Sequence, residues 1–198
     1  MRRRLGGDCP ACFFCKGDRS LLNTPAVALA GSRNLLEKNR DFAREAGRQA
    51  AKHGLTLVSG TARGADRTAQ EACLAAGGRV ISVVADSLLD KKPDRNILYM
   101  SQEDYDAPFS AQRALSRNRI IHTMGYLTLV AQCSLGTGGT WSGTIRNLQC
   151  GWSNVVCFRD GSQASLELQQ RGAYLMDTRE LEELTDFQDP QLNLFSHT

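Results

Sequence analysis

Apolar residues in this chain come in short dense runs, and the runs alternate with stretches of helical period. Val27-Ala28-Leu29-Ala30, Leu55-Thr56-Leu57-Val58, Val80 to Val84, Tyr126 to Ala131 and Asn154 to Phe158 each read as a buried strand. Between the first two, apolar positions 35, 36, 42, 43, 46 and 50 predict a helix with Asn34 as its N-cap and Gly54 at its end. Ala65, Ala69, Ala72, Cys73 and Ala76 predict the next helix, and Ala111 to Met124, Trp141 to Gly151 and 162–172 three more. A short strand and turn is expected over 13–24, an edge strand over 173–176, and a short helix near 95–102 within the polar stretch 85–108. Strands alternating with helices mean right-handed crossovers. The expected fold is therefore α/β: Rossmann-like and doubly wound, with a mainly parallel sheet of five or six strands and helices on both faces. The chain divides into an N-terminal segment (1–24), the Rossmann-like domain (25–176) and an acidic tail (177–198).

The chemistry gathers where strands end. Gly31-Ser32-Arg33, Ser59-Gly60-Thr61-Ala62-Arg63-Gly64 and Gly138-Gly139-Thr140-Trp141-Ser142 each join glycine, a hydroxyl and a helix start. In a parallel sheet the carboxyl ends of the strands share one edge, so the three turns can converge on one crevice. Free backbone N–H groups and helix N-termini attract anions there, and Arg33 and Arg63 add charges that do not titrate. Arg117-Asn118-Arg119, late in the third long helix, can reach the same rim. The reading is a phosphate site for a nucleotide or nucleic acid. Asn118 reads equally well as a helix cap or a sheet-facing hydrogen bond.

Charge sharpens the picture. Residues 177–198 hold six acids and one base, so a net charge of +3 conceals a body of +8 carrying a tail of −5. A basic body suits a polyanionic partner. No apolar run approaches the roughly 20 residues that span a bilayer, and Met1-Arg2-Arg3-Arg4 leads into no apolar segment, so a cytoplasmic protein without membrane contact is expected. Of seven cysteines, Cys73, Cys133, Cys150 and Cys157 read as buried hydrophobes. Cys9, Cys12 and Cys15 could start a metal site, but no second pair follows, and a short strand entering a turn is the preferred reading. No metal or cofactor is expected.

Val27-Ala-Leu-Ala-Gly-Ser-Arg33, Ser59-Gly-Thr-Ala-Arg-Gly-Ala-Asp66 and Ser116-Arg-Asn-Arg-Ile-Ile121 together resemble the successive signatures of the DNA-processing protein A family (DprA/Smf). Gly138 to Gly143, with Gly151-Trp152, is similar to its shorter members, and Phe13 to Asp18 to the family's entry strand. The likeness spans about 13–172. It implies an extended Rossmann fold, a homodimer, single-stranded DNA in a basic pocket, and delivery of that strand to a RecA-type recombinase in DNA uptake, recombination or repair. Carried over, Arg33 and Arg63 pair with phosphates, Gly31, Ser32, Gly60 and Gly64 offer backbone approach, Asp66 braces its turn, and Arg117 and Arg119 extend the basic surface. Ala65 stands where the family usually has isoleucine, the turn after the fourth strand lacks the longer members' wording, and their flanking domains are not expected here.

Two other classes compete. Related folds cleave nucleoside monophosphates with a Gly-Gly-x-Gly-Thr-x-x-Glu turn, but Gly138 to Arg146 offers no carboxylate, and His53, His122 and His197 form no catalytic set. A sensor of a nucleotide-derived ligand separates from a DNA binder on ligand length. Of the aromatics, only Trp141, Trp152 and Tyr99 are candidates for base stacking. Beyond about 185, Gln191-Leu192-Asn193-Leu194-Phe195 resembles the pentapeptide that docks on the bacterial β sliding clamp, which makes the clamp a further expected partner.

Overall fold

A computed structural model describes residues 1–187. Eight strands form one sheet: β1 (Phe14–Gly17), β2 (Ala26–Ala30), β3 (Thr56–Ser59), β4 (Arg79–Val83), β5 (Ile97–Ser101), β6 (Leu127–Val130), β7 (Asn154–Phe158) and β8 (Tyr174–Met176). Their order is β1-β5-β4-β3-β2-β6-β7-β8, and every pairing is parallel except β1 with β5. The fold class expected from periodicity holds, with more strands than the five or six foreseen.

The central strands are buried on both faces, which is why they read as unbroken apolar runs rather than as alternation. Val27 and Leu29 point one way, into a core shared with α2 (Glu37–Lys52) and α3 (Ala65–Ala75) through Phe42, Ala46, Ala50 and Ala69. Ala26 and Ala28 point the other way, toward Ile120 and Ile121 of α4 (Ala111–Met124). Helices α5 (Gly138–Cys150) and α6 (Gln163–Gln170) cover β6 and β7 on that second face through Trp141, Ile145 and Leu168.

Several expectations need correcting. The segment near 95–102 is strand β5, not a helix: Leu98 and Met100 are buried while Ile97 and Tyr99 are not, an alternation of period two. Helix α2 starts at Glu37 with Leu36 in the cap position, so Asn34 is not its N-cap; the Asn34 amide instead donates to the Ser32 hydroxyl at 3.3 Å. The N-terminal residues are partly ordered by packing, since a short helix α1 (Arg2–Leu5) buries Leu5 and Arg4 donates to the carbonyls of Thr123 (2.9 Å) and Gly125 at the end of α4. The packed unit also runs past 176. Thr178–Asp186 is a 3-10 segment whose Leu181 and Leu184 are fully buried against α2, so the acidic tail does not begin at 177. Cys150 is exposed and Cys133 only half-buried, whereas Cys73 and Cys157 are buried as expected. Cys15 lies on β1, in keeping with the strand reading. Trp152 is 3% exposed and belongs to the core, which removes it as a stacking surface.

Among the described residues, no helix is long and apolar enough to cross a membrane. The clamp-like residues Gln191, Leu192, Leu194 and Phe195 lie outside the described residues.

Candidate nucleic-acid interface

Sheet order locates the site. From β2 the chain winds outward through β3, β4 and β5 on one side, then returns to place β6 on the other side of β2. Connections therefore diverge above the carboxyl ends of β2 and β6, and that divergence opens a crevice. A cavity of about 420 Å³ occupies it. Its walls are the turn after β2 (Gly31, Ser32, Arg33), the turn after β6 with the start of α5 (Ser134, Thr137 to Thr140), and α4 (Ala114, Leu115, Arg117, Asn118). Asp66 and Ala62 close the side toward β3.

Each wall is held by identifiable bonds. The Asn118 amide donates to the Gly139 carbonyl at 3.1 Å, which ties α4 to the first turn of α5. The Ser32 amide donates to the Gln132 carbonyl at 2.9 Å, and the Ala65 amide to the Ser32 carbonyl at 3.1 Å, so the β2 turn is pinned from both neighbours. Gly64 permits the second contact: its φ is +89°, and a Cβ there would lie 2.4 Å from the carbonyl oxygens of Ser32 and Arg33.

Two walls carry groups suited to an anion. Arg33 is exposed at the mouth, on a turn fixed by those bonds. In the same lining, helix α5 of 13 residues begins at Gly138, and the first N–H groups of a helix have no partner within it. The side toward β3 behaves otherwise. Asp66 is buried beside Arg117, Oδ2 to Nη2 at 3.7 Å, and its carboxylate accepts from the Ala62 amide at 3.3 Å. Burial pushes the Asp66 carboxyl above its ordinary range, against the opposing pull of Arg117 and the backbone N–H groups of Ala62 and Gly60. The turn after β3 thus directs the N–H groups of Gly60 and Ala62 at its own carboxylate.

Of the residues expected at the site, the cavity gathers Gly31, Ser32, Arg33, Asp66, Arg117, Asn118, Gly139 and Thr140. It does not gather Ser59, Gly60, Arg63, Gly64, Arg119 or Ser142. Ser59 is buried, its hydroxyl accepting from Gln70 Nε2 at 2.7 Å. Arg63 is exposed outside the lining, Arg119 turns to Gln102 Oε1 at 3.1 Å, and Ser142 bonds back to the Gly139 carbonyl at 3.4 Å. The largest correction is Arg117. At 6% exposed, it donates to the Val83 carbonyl at 2.6 Å and extends no basic surface. A signal for this was available: Arg117 shares a helical face with Ile120, Ile121 and Met124, and Arg119 does not. Ala114, Leu115, Cys133 and Ser134 line the cavity and were not foreseen.

Residues 2–185 match the family model for DNA recombination-mediator protein A. The chain belongs to that family. Protein Smf of Escherichia coli (strain K12) is 29% identical over 142 residues, covering 66% of this chain and 38% of that relative. The X-ray structure of DNA processing protein A from Streptococcus pneumoniae superposes with a TM-score of 0.78 at 27% identity, over 92% of this chain and 69% of that one. DNA processing protein A from Helicobacter pylori, whose structure concerns its single-stranded DNA binding mode, gives 0.77 at 25% identity over 90% and 89%. The chain spans well under half the length of Protein Smf, so the match places the recombination-mediator domain and not the whole of that relative.

Proposed function

We propose that this chain binds single-stranded DNA without performing chemistry on it, holding backbone phosphates in the crevice between β2 and β6. One observation carries the reading: Arg33 and the first turn of α5 line the same cavity at the switch point, so one space is bordered by a fixed charge and by the N–H groups of a helix start. The basic body, at +8, supplies the surrounding field. Membership in the recombination-mediator family and the subject of the Helicobacter pylori structure support it. Delivery of the strand to a RecA-type recombinase, a homodimer and a role in DNA uptake, recombination or repair are proposals that follow from that membership alone. A clamp contact through Gln191–Phe195 rests on the motif alone.

Anisotropy titrations of a labelled oligonucleotide at several salt concentrations test the central claim. Log affinity should fall with log salt at roughly −0.7 per phosphate neutralised. A flat dependence would overturn the claim. Arg33→Ala should weaken binding by about tenfold or more with an unchanged melting curve, because a charge-assisted contact is worth about 1.5–3 kcal/mol and the side chain packs into no core. Arg63→Ala should cost less, since Arg63 lies outside the lining.

A second reading, a receptor for a mononucleotide-like ligand, is favoured by the size of the cavity, which falls within the roughly 300–1,000 Å³ of small-molecule sites. Affinity for AMP equal to that for an oligonucleotide would select it. Hydrolysis of such a ligand has little support. Among the described lining residues the sole carboxylate is Asp66, already committed to Arg117 and the β3 turn. Incubation with AMP should therefore release no free base above the uncatalysed rate.

A further inference from the structure

Arg117 lies behind the crevice rather than in its mouth, and its surroundings suggest what it does there. The guanidinium lies directly against Gly60 at the end of β3, where a Cβ would fall 1.7 Å from Nη1 and 2.2 Å from Cζ. Any side chain at 60 would therefore expel the arginine. One nitrogen reaches the Val83 carbonyl at the end of β4, and another faces Asp66 in the first turn of α3. A single side chain from α4 thus joins the ends of two strands and the start of a helix. From Asp66 the connection continues outward. Its carboxylate holds the Ala62 amide, and two residues on Gly64 abuts the Ser32 and Arg33 carbonyls, while the Ala65 amide donates to that of Ser32. Arg33 lies close enough for its charge to act on both Asp66 and Arg117.

We infer that Arg117 is a positioning residue for the anion site: through Gly60, Asp66 and Gly64 it fixes where the β2 turn presents Arg33, without itself touching the bound strand. The inference rests on the proposed binding of DNA at this crevice. It also gives Gly60 a purpose different from backbone approach to a phosphate, namely a seat for the guanidinium. Lysine cannot replace arginine here, because one ammonium on a flexible stem cannot span a carbonyl and a carboxylate in a fixed fork.

Oligonucleotide affinity of Arg117→Lys and Gly60→Ala, each alone and combined with Arg33→Ala, tests this, with circular dichroism to confirm folding. Each single change should weaken binding by about tenfold, the size of one charge-assisted contact. In the Arg33→Ala background each should cost less than about twofold, because the residue it positions is gone. Losses that multiply, or an Arg117→Lys protein that binds like wild type, would overturn the inference. If Arg117→Lys does not fold, Gly60→Ala carries the same comparison. Failure of the wild type to bind DNA would sink the functional reading alone. Positioning is then judged by hydrogen exchange on the free proteins, where Gly60→Ala should speed exchange of the Ala65 amide. Unchanged exchange there would overturn the inference.

Discussion

Arg117→Ala should lower folding stability by about 3–5 kcal/mol at neutral pH, a loss large enough to unfold many domains of this size. The reason is the partner left behind. Asp66 and Arg117 have side chains only 8% and 7% exposed, so removing the cation leaves a largely buried carboxylate without its charge partner. The Val83 carbonyl loses its donor as well. The direction of the Asp66 shift gives a second signature. Its carboxyl already titrates above the usual carboxylate range, and without Arg117 it moves higher. A group whose folded pKa is raised costs nothing below its unfolded pKa, and the cost builds as pH rises from the unfolded to the folded value. The penalty of Arg117→Ala should therefore shrink on acidification. Urea titrations at pH 7 and pH 5 would measure it, and adding Asp66→Asn should recover part of the loss at pH 7. A loss below about 1 kcal/mol at pH 7, or one unchanged by Asp66→Asn, would show that the pair is not an isolated buried charge couple.

How far the sequence could be read depended on whether one pattern dominated locally. Strands such as Val27–Ala30 and Leu127–Val130 are buried on both faces, and nothing else gives so dense an apolar run between turn residues. β5 was harder, because Tyr99 and Ile97 blur an alternation that only Leu98 and Met100 carry into the core. In 178–186 the acids masked Leu181 and Leu184, which are three residues apart on one side of a 3-10 segment. The site divided along the same line. Turns with glycine and arginine at strand ends mark a crevice wherever the sheet reverses, so Gly31, Ser32, Arg33 and Gly139 were legible. Which arginines face solvent depends on helix rotation. Arg117 and Arg119 look alike in the chain, yet one is buried against Gly60 while the other is half-buried beside Gln102. The order of strands, which makes β2 and β6 neighbours across 96 residues of sequence, follows from no local pattern.

Acid should destabilise the protein already above the ordinary carboxylate range, and His122 is the reason. It lies in α4 at 1% exposure, with Nδ1 3.4 Å from the Thr128 hydroxyl and 3.4 Å from the Asn147 amide nitrogen. Gly143 of α5 presses on the other side of the ring, where a Cβ would lie 3.0 Å from Nε2. Burial lowers the imidazole from 6.5 to about 4. In the unfolded chain it takes up a proton near pH 6.5, and in the folded protein it resists until about 4, so the unfolded state binds more protons throughout that window. Stability is lost as pH falls from 6.5 toward 4, reaching about 2 kcal/mol at pH 5 and about 3 kcal/mol at the lower limit. Two other groups bear on the same curve. The lowered carboxyl of Asp160 contributes its loss only below about 3.8, and the raised carboxyl of Asp66 works the opposite way, relieving strain as it protonates. Urea midpoints between pH 7 and pH 4.5 should thus fall steeply in the wild type and much less in His122→Gln, which keeps a polar side chain near Thr128 and Asn147 but cannot take up a proton. Parallel curves for the two proteins would exclude His122 as the origin. A shallower variant curve would tie acid sensitivity to the same α4–α5 contact that brings Asn118 against Gly139 at the crevice wall, so oligonucleotide affinity in the wild type should weaken over the pH range in which that contact loosens.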